Sequence, residues 1–320
     1  MSERSGTSPG VVAAVTVMCV IWGSTWLVVR EGLTDLPPFG SAGIRFLAAG
    51  VALLLIAPFI ARVEGGARPT PRLVLAMATG NFALSYGIVY WAELELPSRL
   101  AAIICGVFPR GTALVGHVYL PESRIVGAQW RGLGGGFLGV LLLFVTDLPA
   151  IGPEALERGA VLLLSPIVSA FATAYVKRHG AGVSAALLNR SAMLVGGALL
   201  CLFAWWTEGG LPRLETDRAL FSVGYLAVFG TVVTFTLYIW VLRNASPTSL
   251  SLIAYVTPAI ALLVGVVIGD EDVSAWTAAG LALILLGSLG VLRRPSAGGP
   301  VCGPIGGEDG RAEGATLARR

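Results

Sequence analysis

Leu96 to Glu122 reads LPSRLAAIICGVFPRGTALVGHVYLPE, an apolar stretch of membrane-spanning length with a proline near its centre. Because proline removes a backbone donor and clashes with the carbonyl four residues earlier, Pro109 predicts a transmembrane helix broken near mid-span. A similar stretch, SPTSLSLIAYVTPAIALLVGVVIGDE, occupies 246–271 and carries Pro258. The sequence therefore predicts two copies of one unit.

The two stretches also agree at their ends. The matched pairs, at offsets of 150 or 149 residues, are Pro97 with Pro247, Ser98 with Thr248, Pro109 with Pro258, and Glu122 with Glu271. Agreement at both ends and at the central proline favours duplication of a whole unit.

The composition is that of a membrane protein. Of the 320 residues, 55% are hydrophobic and 13% are charged, against about 25% charged in a typical soluble domain. Apolar runs near twenty residues recur, from Val11–Val29 to Val273–Leu292, which predicts an all-α polytopic membrane protein of ten transmembrane helices. The predicted divisions are a disordered tail at 1–10, a first repeat at 11–146, a linker at 147–154, a second repeat at 155–292, and a disordered tail at 293–320.

The positive charges predict the orientation. If the amino terminus lies in the cytoplasm, the cytoplasmic segments hold 13 Lys and Arg residues and the outward segments hold 5. Cytoplasmic loops of membrane proteins carry an excess of Lys and Arg, so this orientation fits the sequence. We therefore predict a multi-pass protein of the cytoplasmic (plasma) membrane with both termini cytoplasmic. Five spans per copy is an odd number, so the second copy enters from the opposite side and the two form an inverted repeat.

Several motifs resemble one family. They are WGSTW at 22–26, IRFLAAG at 44–50, LPSRLAAII ahead of the mid-span proline, and SPTSLSLIAYVTPAIALLVG ahead of Glu271. In this order and duplication they resemble EamA-type transporters of the drug/metabolite transporter superfamily. The resemblance implies ten helices, cytoplasmic termini and movement of small organic molecules, often outward.

Arg110 is the first candidate for substrate binding. A charge near the bilayer centre costs about 2.5 to 3.5 kcal/mol on insertion scales, and such residues usually face a cavity or a partner. The family resembled usually has an apolar residue after this proline. We predict that Arg110 meets an anionic group of the solute, most simply a carboxylate, which a guanidinium fits bidentately. The alternative is structural, with Arg110 held by carbonyls freed at the kink or snorkelling to the interface.

Polar or amphipathic side chains near mid-span are candidate walls of a substrate pathway, with interhelical packing as the alternative. These residues are Trp22, Asn81, Tyr86, Thr231 and Tyr255.

Other candidates concern motion, protons and packing. We predict bending points at Pro109, Pro166 and Pro258, and a candidate proton relay at His117, whose alternative is an interfacial position.

Arg45 and Arg190, 145 residues apart, are interpreted as structural anchors, with gating as the alternative. The glycine pairs 132/136, 135/139 and 265/269 fit the small-residue spacing that lets helices approach closely.

No motif for catalysis, for a metal, for another cofactor or for nucleic acid is present in the sequence. We predict a secondary transporter, an exporter of small organic metabolites, amino acids or drugs by alternating access, and not an enzyme. Two other classes remain open, a membrane-embedded lipid-modifying enzyme and a non-transporting membrane sensor or assembly partner.

Overall fold

The computed structural model describes residues 9–120, 127–244 and 247–292. This part of the chain is helical, and its only β-type pairing is an isolated bridge between Ala67 and Val183. The helices are α1 (Pro9–Gly32), α2 (Pro38–Glu64), α3 (Pro71–Met77), α4 (Tyr86–Ala92), α5 (Ser98–Cys105), α6 (Phe108–Tyr119), α7 (Gly127–Ile151), α8 (Pro153–Leu162), α9 (Leu164–His179), α10 (Ala185–Thr207), α11 (Asp217–Ala227), α12 (Thr234–Asn244), α13 (Pro247–Val267) and α14 (Ala275–Leu292).

Seven helices in the described ranges are long and apolar enough to cross a membrane, and shorter apolar helices cover Val256–Val267 and Ala275–Gly287. The prediction of an all-helical, polytopic membrane protein is confirmed at this level. The finer arrangement, ten helices in two inverted repeats, stays a prediction. The predicted disordered tails fall mostly on residues 1–8 and 293–320, which lie outside the described ranges.

Helix starts follow local sequence signals. Thr70, Ser184 and Thr216 accept hydrogen bonds from backbone N–H groups three residues later, at 3.5, 3.3 and 3.1 Å. These caps satisfy donors that the first turn of a helix leaves without a partner. Pro38 and Pro71 stand in the first turn of their helices, where the missing N–H costs nothing.

The span that contains Pro109 is interrupted, as predicted. Helix α5 ends at Cys105 and α6 begins at Phe108. The Arg110 amide donates to the carbonyl of Val107 at 2.8 Å. This bond spans three residues and replaces the regular helical bond from the Arg110 amide to the carbonyl of Gly106, four residues earlier. The carbonyl of Gly106 is therefore available to another donor. In contrast, α13 passes through Pro258 as one continuous helix.

Two wide turns occur at equivalent places in the two predicted repeats. A π-helical segment at Ala78–Ser85 joins α3 to α4, and another at Val228–Val233 joins α11 to α12. Their first residues are 150 positions apart, the offset that also relates Pro97 to Pro247. Such segments are rare and often lie at functional sites.

The two halves of the chain interdigitate. The closest helix pairs are α2 with α10, α7 with α14, α1 with α13, and α6 with α9, each joining one predicted repeat to the other. Small residues permit this approach: a Cβ added at Gly287 would lie 2.5 Å from the carbonyl oxygen of Gly132 and 2.7 Å from the amide nitrogen of Gly136. The predicted close approach at Gly132 and Gly136 is confirmed.

The predicted linker between the halves is mostly helical. Helix α7 runs to Ile151 and α8 begins at Pro153, so the predicted linker 147–154 is helical except at Gly152. Gly152 has φ of 142°, in the region that favours glycine. Asp147 lies on α7 and accepts hydrogen bonds from Ser274 and Thr277 at 2.7 and 2.8 Å, which ties the end of α7 to the start of α14.

Candidate functional site

A cavity of about 590 Å³ lies inside the helical bundle. Residues of both predicted repeats line it, from α1 to α6 in the first half and from α9 to α13 in the second. The wall is mostly apolar and aromatic, with a small number of polar groups. Its size and composition are those of a site for a small organic molecule.

Three of the predicted wall residues line this cavity, namely Trp22, Asn81 and Tyr86. Trp22 donates its indole N–H to the carbonyl of Gly230 at 3.3 Å, which fixes the ring between α1 and the second π-helical segment. Asn81 lies in the first π-helical segment and accepts a hydrogen bond from the Ser169 hydroxyl. The ring of Tyr86 packs edge-on against the ring of Phe46 at 4.8 Å between centroids.

The three predicted bending points, Pro109, Pro166 and Pro258, also line the cavity. They lie on α6, α9 and α13, so three of the helices that form the wall carry a proline at cavity depth. Their position gives any bend a direct effect on the shape of the cavity. Whether they bend during a functional cycle stays a prediction.

Two other predicted residues stand elsewhere, and the side chain of a third is not described. Thr231 is buried behind the wall, where its hydroxyl donates to the carbonyl of Leu226 at 2.8 Å. His117 packs its ring edge-on against Trp130, at 5.9 Å between centroids, away from the cavity lining. The side chain of Tyr255 lies outside the part that the structure describes.

Arg110 does not line the cavity. It is fully buried between α6, α7 and α14, where it donates to the carbonyl oxygens of Gly106, at 3.3 Å, and of Ile284. A Cβ added at Gly136 would overlap its guanidinium. The position departs from the predicted contact with a solute carboxylate and matches the structural alternative, in which carbonyls freed at the kink hold the charge.

Arg45 takes the place in the cavity wall that the sequence suggested for Arg110. It lies on α2, is 3% exposed, and donates to the Tyr90 hydroxyl at 3.1 Å and to the Thr231 hydroxyl at 3.5 Å. Its guanidinium lies over the rings of Phe46 and Tyr86, 5.2 and 5.3 Å from their centroids. These contacts hold a permanent positive charge at the edge of the cavity.

Glu93 is a charged residue of the cavity wall that the sequence reasoning missed. It directly follows α4, lines the cavity and is 1% exposed. Its carboxylate oxygens accept no hydrogen bond from the described part of the chain. Glu93 lies just outside the apolar span Pro71–Ala92, and burial raises its pKa well above the usual range, opposed by the charges of Arg30 and Arg45.

A cluster of hydrogen bonds joins the halves near one end of the bundle. One carboxylate oxygen of Glu271 accepts from the Ser98 amide at 2.9 Å and the Ser98 hydroxyl at 2.8 Å. The other accepts from the Arg99 amide at 3.2 Å and the Arg99 guanidinium at 3.1 Å. Glu271 thus caps the amino terminus of α5 from the opposite half. We call these three residues the Glu271 clasp.

Two similar clasps hold α2 and α10 together at both ends. Glu208 follows α10 and accepts from the amides of Phe39 and Gly40 at 2.8 and 2.9 Å, at the start of α2. Glu64 ends α2 and accepts from the Ser184 hydroxyl and, at 3.3 Å, from the Ala186 amide, at the start of α10. In the sequence the counterpart of Glu271 is Glu122, which lies outside the described ranges.

These features define a class of protein. Apolar helices long enough to cross a membrane enclose a cavity whose wall is shared between two halves. The wall carries charged residues, among them Arg45, which neighbouring side chains hold in place. This is the architecture of a membrane carrier for small solutes.

Comparison with known proteins identifies the family. The model of the EamA-like transporter family matches residues 9–145 and 159–293. An Escherichia coli K12 protein named uncharacterized inner membrane transporter YedA is 30% identical over 302 residues, covering 91% of this chain and 94% of that protein. The chain belongs to the EamA-like transporter family and is a membrane transporter.

More distant relatives are similar to this chain over most of its length. YoaV of Bacillus subtilis, named an uncharacterized transporter, is 24% identical over 87% of this chain and 94% of its own. Protein PecM of Dickeya dadantii is 25% identical over 82% of this chain and 86% of its own. A crystal structure with 18% identity superposes with a TM-score of 0.63, covering 88% of this chain and 97% of that one, which shows a shared fold.

Proposed function

We propose that the protein is a secondary carrier of the cytoplasmic membrane that exports small organic solutes by alternating access between two inverted five-helix halves. The observation that carries the proposal is the cavity of about 590 Å³, whose wall comes from both halves. A site at the boundary of two repeats can open to either side when one half rocks against the other. The YedA relative is named an inner membrane transporter, which supports the location.

The pairing of helices supports the inverted repeat. Under a pseudo-twofold relation, α2 exchanges with α10 and α7 with α14, and both of these pairs are in close contact. The same relation converts the contact of α1 with α13 into the contact of α9 with α6, and both occur. The two π-helical segments follow the same rule. An odd number of spans per half then gives the opposite orientations that alternating access uses.

The cavity wall supports a solute with an apolar body and an anionic group. Trp22, Tyr86 and Pro258 offer apolar and aromatic surface, and the Arg45 guanidinium offers a fixed positive charge. A carboxylate is the simplest group that a guanidinium fits. The carboxylate that the sequence assigned to Arg110 is therefore proposed for Arg45.

The Glu271 clasp supports a closed state at its own end of the bundle. It buries an ion pair across the two halves, with side-chain exposures of 11% for Arg99 and 6% for Glu271. We infer that the Glu271 clasp closes one entrance in the described conformation and opens in the alternate state. The Glu64 and Glu208 clasps, which hold α2 to α10 at both ends, would stay closed throughout.

Binding and flux measurements test the proposal. A thermal-shift screen of the purified protein against amino acids, organic acids and cationic dyes should show stabilisation by at least one anionic or zwitterionic solute, because a ligand that binds the native state raises its stability. Reconstituted vesicles should then move that solute, and Arg45→Gln should weaken both effects. Stabilisation without flux would favour a sensor, and neither effect from any solute would contradict the carrier.

A further inference from the structure

Glu93 is a buried acid in a position that the carrier mechanism has not used. It is 1% exposed, lines the cavity, and receives no hydrogen bond from the described residues at either carboxylate oxygen. A carboxylate removed from water without donors is costly, so such a group gains from taking up a proton. The cavity next to it gives access to water and solute.

Other acids in the bundle have hydrogen-bond donors. Glu271 accepts four hydrogen bonds from Ser98 and Arg99, and Asp147 accepts two from the start of α14. The oxygens of both carboxylates thus have hydrogen-bond partners. Glu93 differs from both, because the described residues around it supply charge at a distance and no hydrogen bond to its carboxylate.

The charged and titratable groups around Glu93 come from all the elements packed near it. They are Arg30 on α1, Arg45 on α2, Tyr86 and Tyr90 on α4, Glu95 in the following turn, Arg99 and Cys105 at α5, Glu154, Glu157 and Arg158 on α8, and Glu271 before α14. Several of these are engaged elsewhere.

Three of the nearby cations have partners of their own, whereas Arg30 keeps one buried guanidinium nitrogen without a hydrogen bond to the described residues. Arg45 donates to Tyr90, Arg99 pairs with Glu271, and Arg158 donates to the carbonyl of Trp91 and lies 4.0 Å from Glu95. The charges of Arg30 and Arg45 favour the ionised form of Glu93, and burial and Glu271 oppose it. Opposing effects of this kind leave a group able to change its charge when its surroundings change.

We propose that Glu93 is a proton-binding site of this carrier, loaded and unloaded through the central cavity, so that proton and solute movement are linked. The inference rests on the proposed transport function. Loading forms one O–H bond on the Glu93 carboxylate and breaks one in a hydronium ion of the cavity water, and unloading reverses the step. An anionic group placed beside Arg45 would add negative charge near Glu93 and so favour the protonated form.

Infrared titration of the purified protein tests the site directly. The wild type should show a C=O stretching band of a protonated carboxylic acid that persists above the pH at which an exposed glutamate ionises, about 4.3. The band should be missing in Glu93→Gln. The matched control is Glu95→Gln, two residues away on a side chain that is 44% exposed, and this variant should keep the band. Identical wild-type and Glu93→Gln titrations would overturn the proposal.

Thermal stability gives a second readout that needs no substrate. When the pKa of an acid is raised on folding, the folded protein holds a proton that the unfolded chain releases. Wild-type stability should then fall as pH rises from about 4.3 through the folded-state pKa and level off above it. The melting temperature of Glu93→Gln relative to wild type should therefore increase with pH, whereas that of Glu95→Gln should not. A constant difference would count against a proton on Glu93.

Flux measurements separate this inference from the carrier proposal. Vesicles are tested with L-phenylalanine, benzoate and tetraphenylphosphonium as zwitterionic, anionic and cationic probes. For a probe that moves, Glu93→Gln should lose the response of the flux to a pH gradient, whereas the control Glu95→Gln should keep it. An unchanged response would refute the link between proton and solute while leaving the carrier intact. An absence of flux would instead count against the carrier, and the infrared titration would still decide the proton site.

Discussion

The substitution Glu271→Gln is expected to open the clasped end of the bundle. In the described conformation, Glu271 accepts hydrogen bonds from the Ser98 amide and hydroxyl and from the Arg99 amide and guanidinium. A glutamine side chain has no negative charge, and its NH2 group would face the hydrogen-bond donors of Ser98 and Arg99. The substitution therefore breaks a buried ion pair and weakens the cap on α5.

The size of the effect follows from the burial of the pair. Removing one partner of a buried salt bridge costs about 3–5 kcal/mol. If the clasp forms in only one of two conformations, the substitution destabilises that conformation alone, by this full free energy. Each 1.4 kcal/mol is a factor of about ten, so the ratio of clasped to open states should fall by about one hundred to several thousand.

Labelling of a single cysteine in the cavity measures this shift. The four native cysteines are replaced by serine, and Thr25, which lines the cavity on α1, becomes cysteine. A membrane-impermeant methanethiosulfonate is added to the side where Glu271 lies. The labelling rate should rise at least about tenfold in Glu271→Gln, because opening the clasp admits the reagent.

Glu208→Gln is the matched control. Glu208 also caps a helix of the opposite half, but its partner pair α2 and α10 is clasped at both ends. This variant should lose thermal stability without a faster labelling rate. Equal losses of stability in both variants with no change of labelling in Glu271→Gln would refute the gate and leave the Glu271 clasp as a structural cap alone.

Three further predictions follow from the same contacts. Gly136→Ala should destabilise the protein by about 1–3 kcal/mol, because the new methyl overlaps the guanidinium of Arg110. The loss of stability, measured by thermal unfolding, should be smaller in an Arg110→Leu background. An equal loss in both backgrounds would contradict this packing. Arg45→Lys should weaken binding of an anionic ligand by about tenfold or more in titration calorimetry, and unchanged affinity would exclude Arg45 from the site. Pro258→Ala should raise the melting temperature, since it restores a helical hydrogen bond, and should slow solute exchange, and faster exchange would remove Pro258 as a bending point.

The fold class and part of the cavity wall could be predicted from the sequence. Apolar runs, the broken segment at Pro109 and the glycine spacing all reflect local chemistry that the bilayer imposes on any helix. Trp22, Asn81 and Tyr86 were found for a related reason, since polar and aromatic groups near mid-span prefer the protein interior.

The position of Arg110 depends on direction around the helix. Successive residues of an α-helix differ by about 100°, so Pro109 can line the cavity while Arg110 faces α7 and α14. A single sequence does not say which face of an amphipathic segment meets the cavity. Glu93 was missed, and Arg45 was interpreted as a structural anchor and not as part of the cavity wall, because both stand near helix ends in the sequence, where charges are usually solvated. Tertiary packing buries both residues.

The paired π-helical segments give this chain a simple route to new solutes. Each wide turn accommodates one residue more than a regular turn, so deletion of a single residue between Ala78 and Ser85 would leave a sound helix. The following helix would then rotate by about 100° and carry Tyr86, Tyr90 and Glu93 away from their present places. A one-codon change could thus exchange a whole set of wall residues while the scaffold held by α2 and α10 stays as it is.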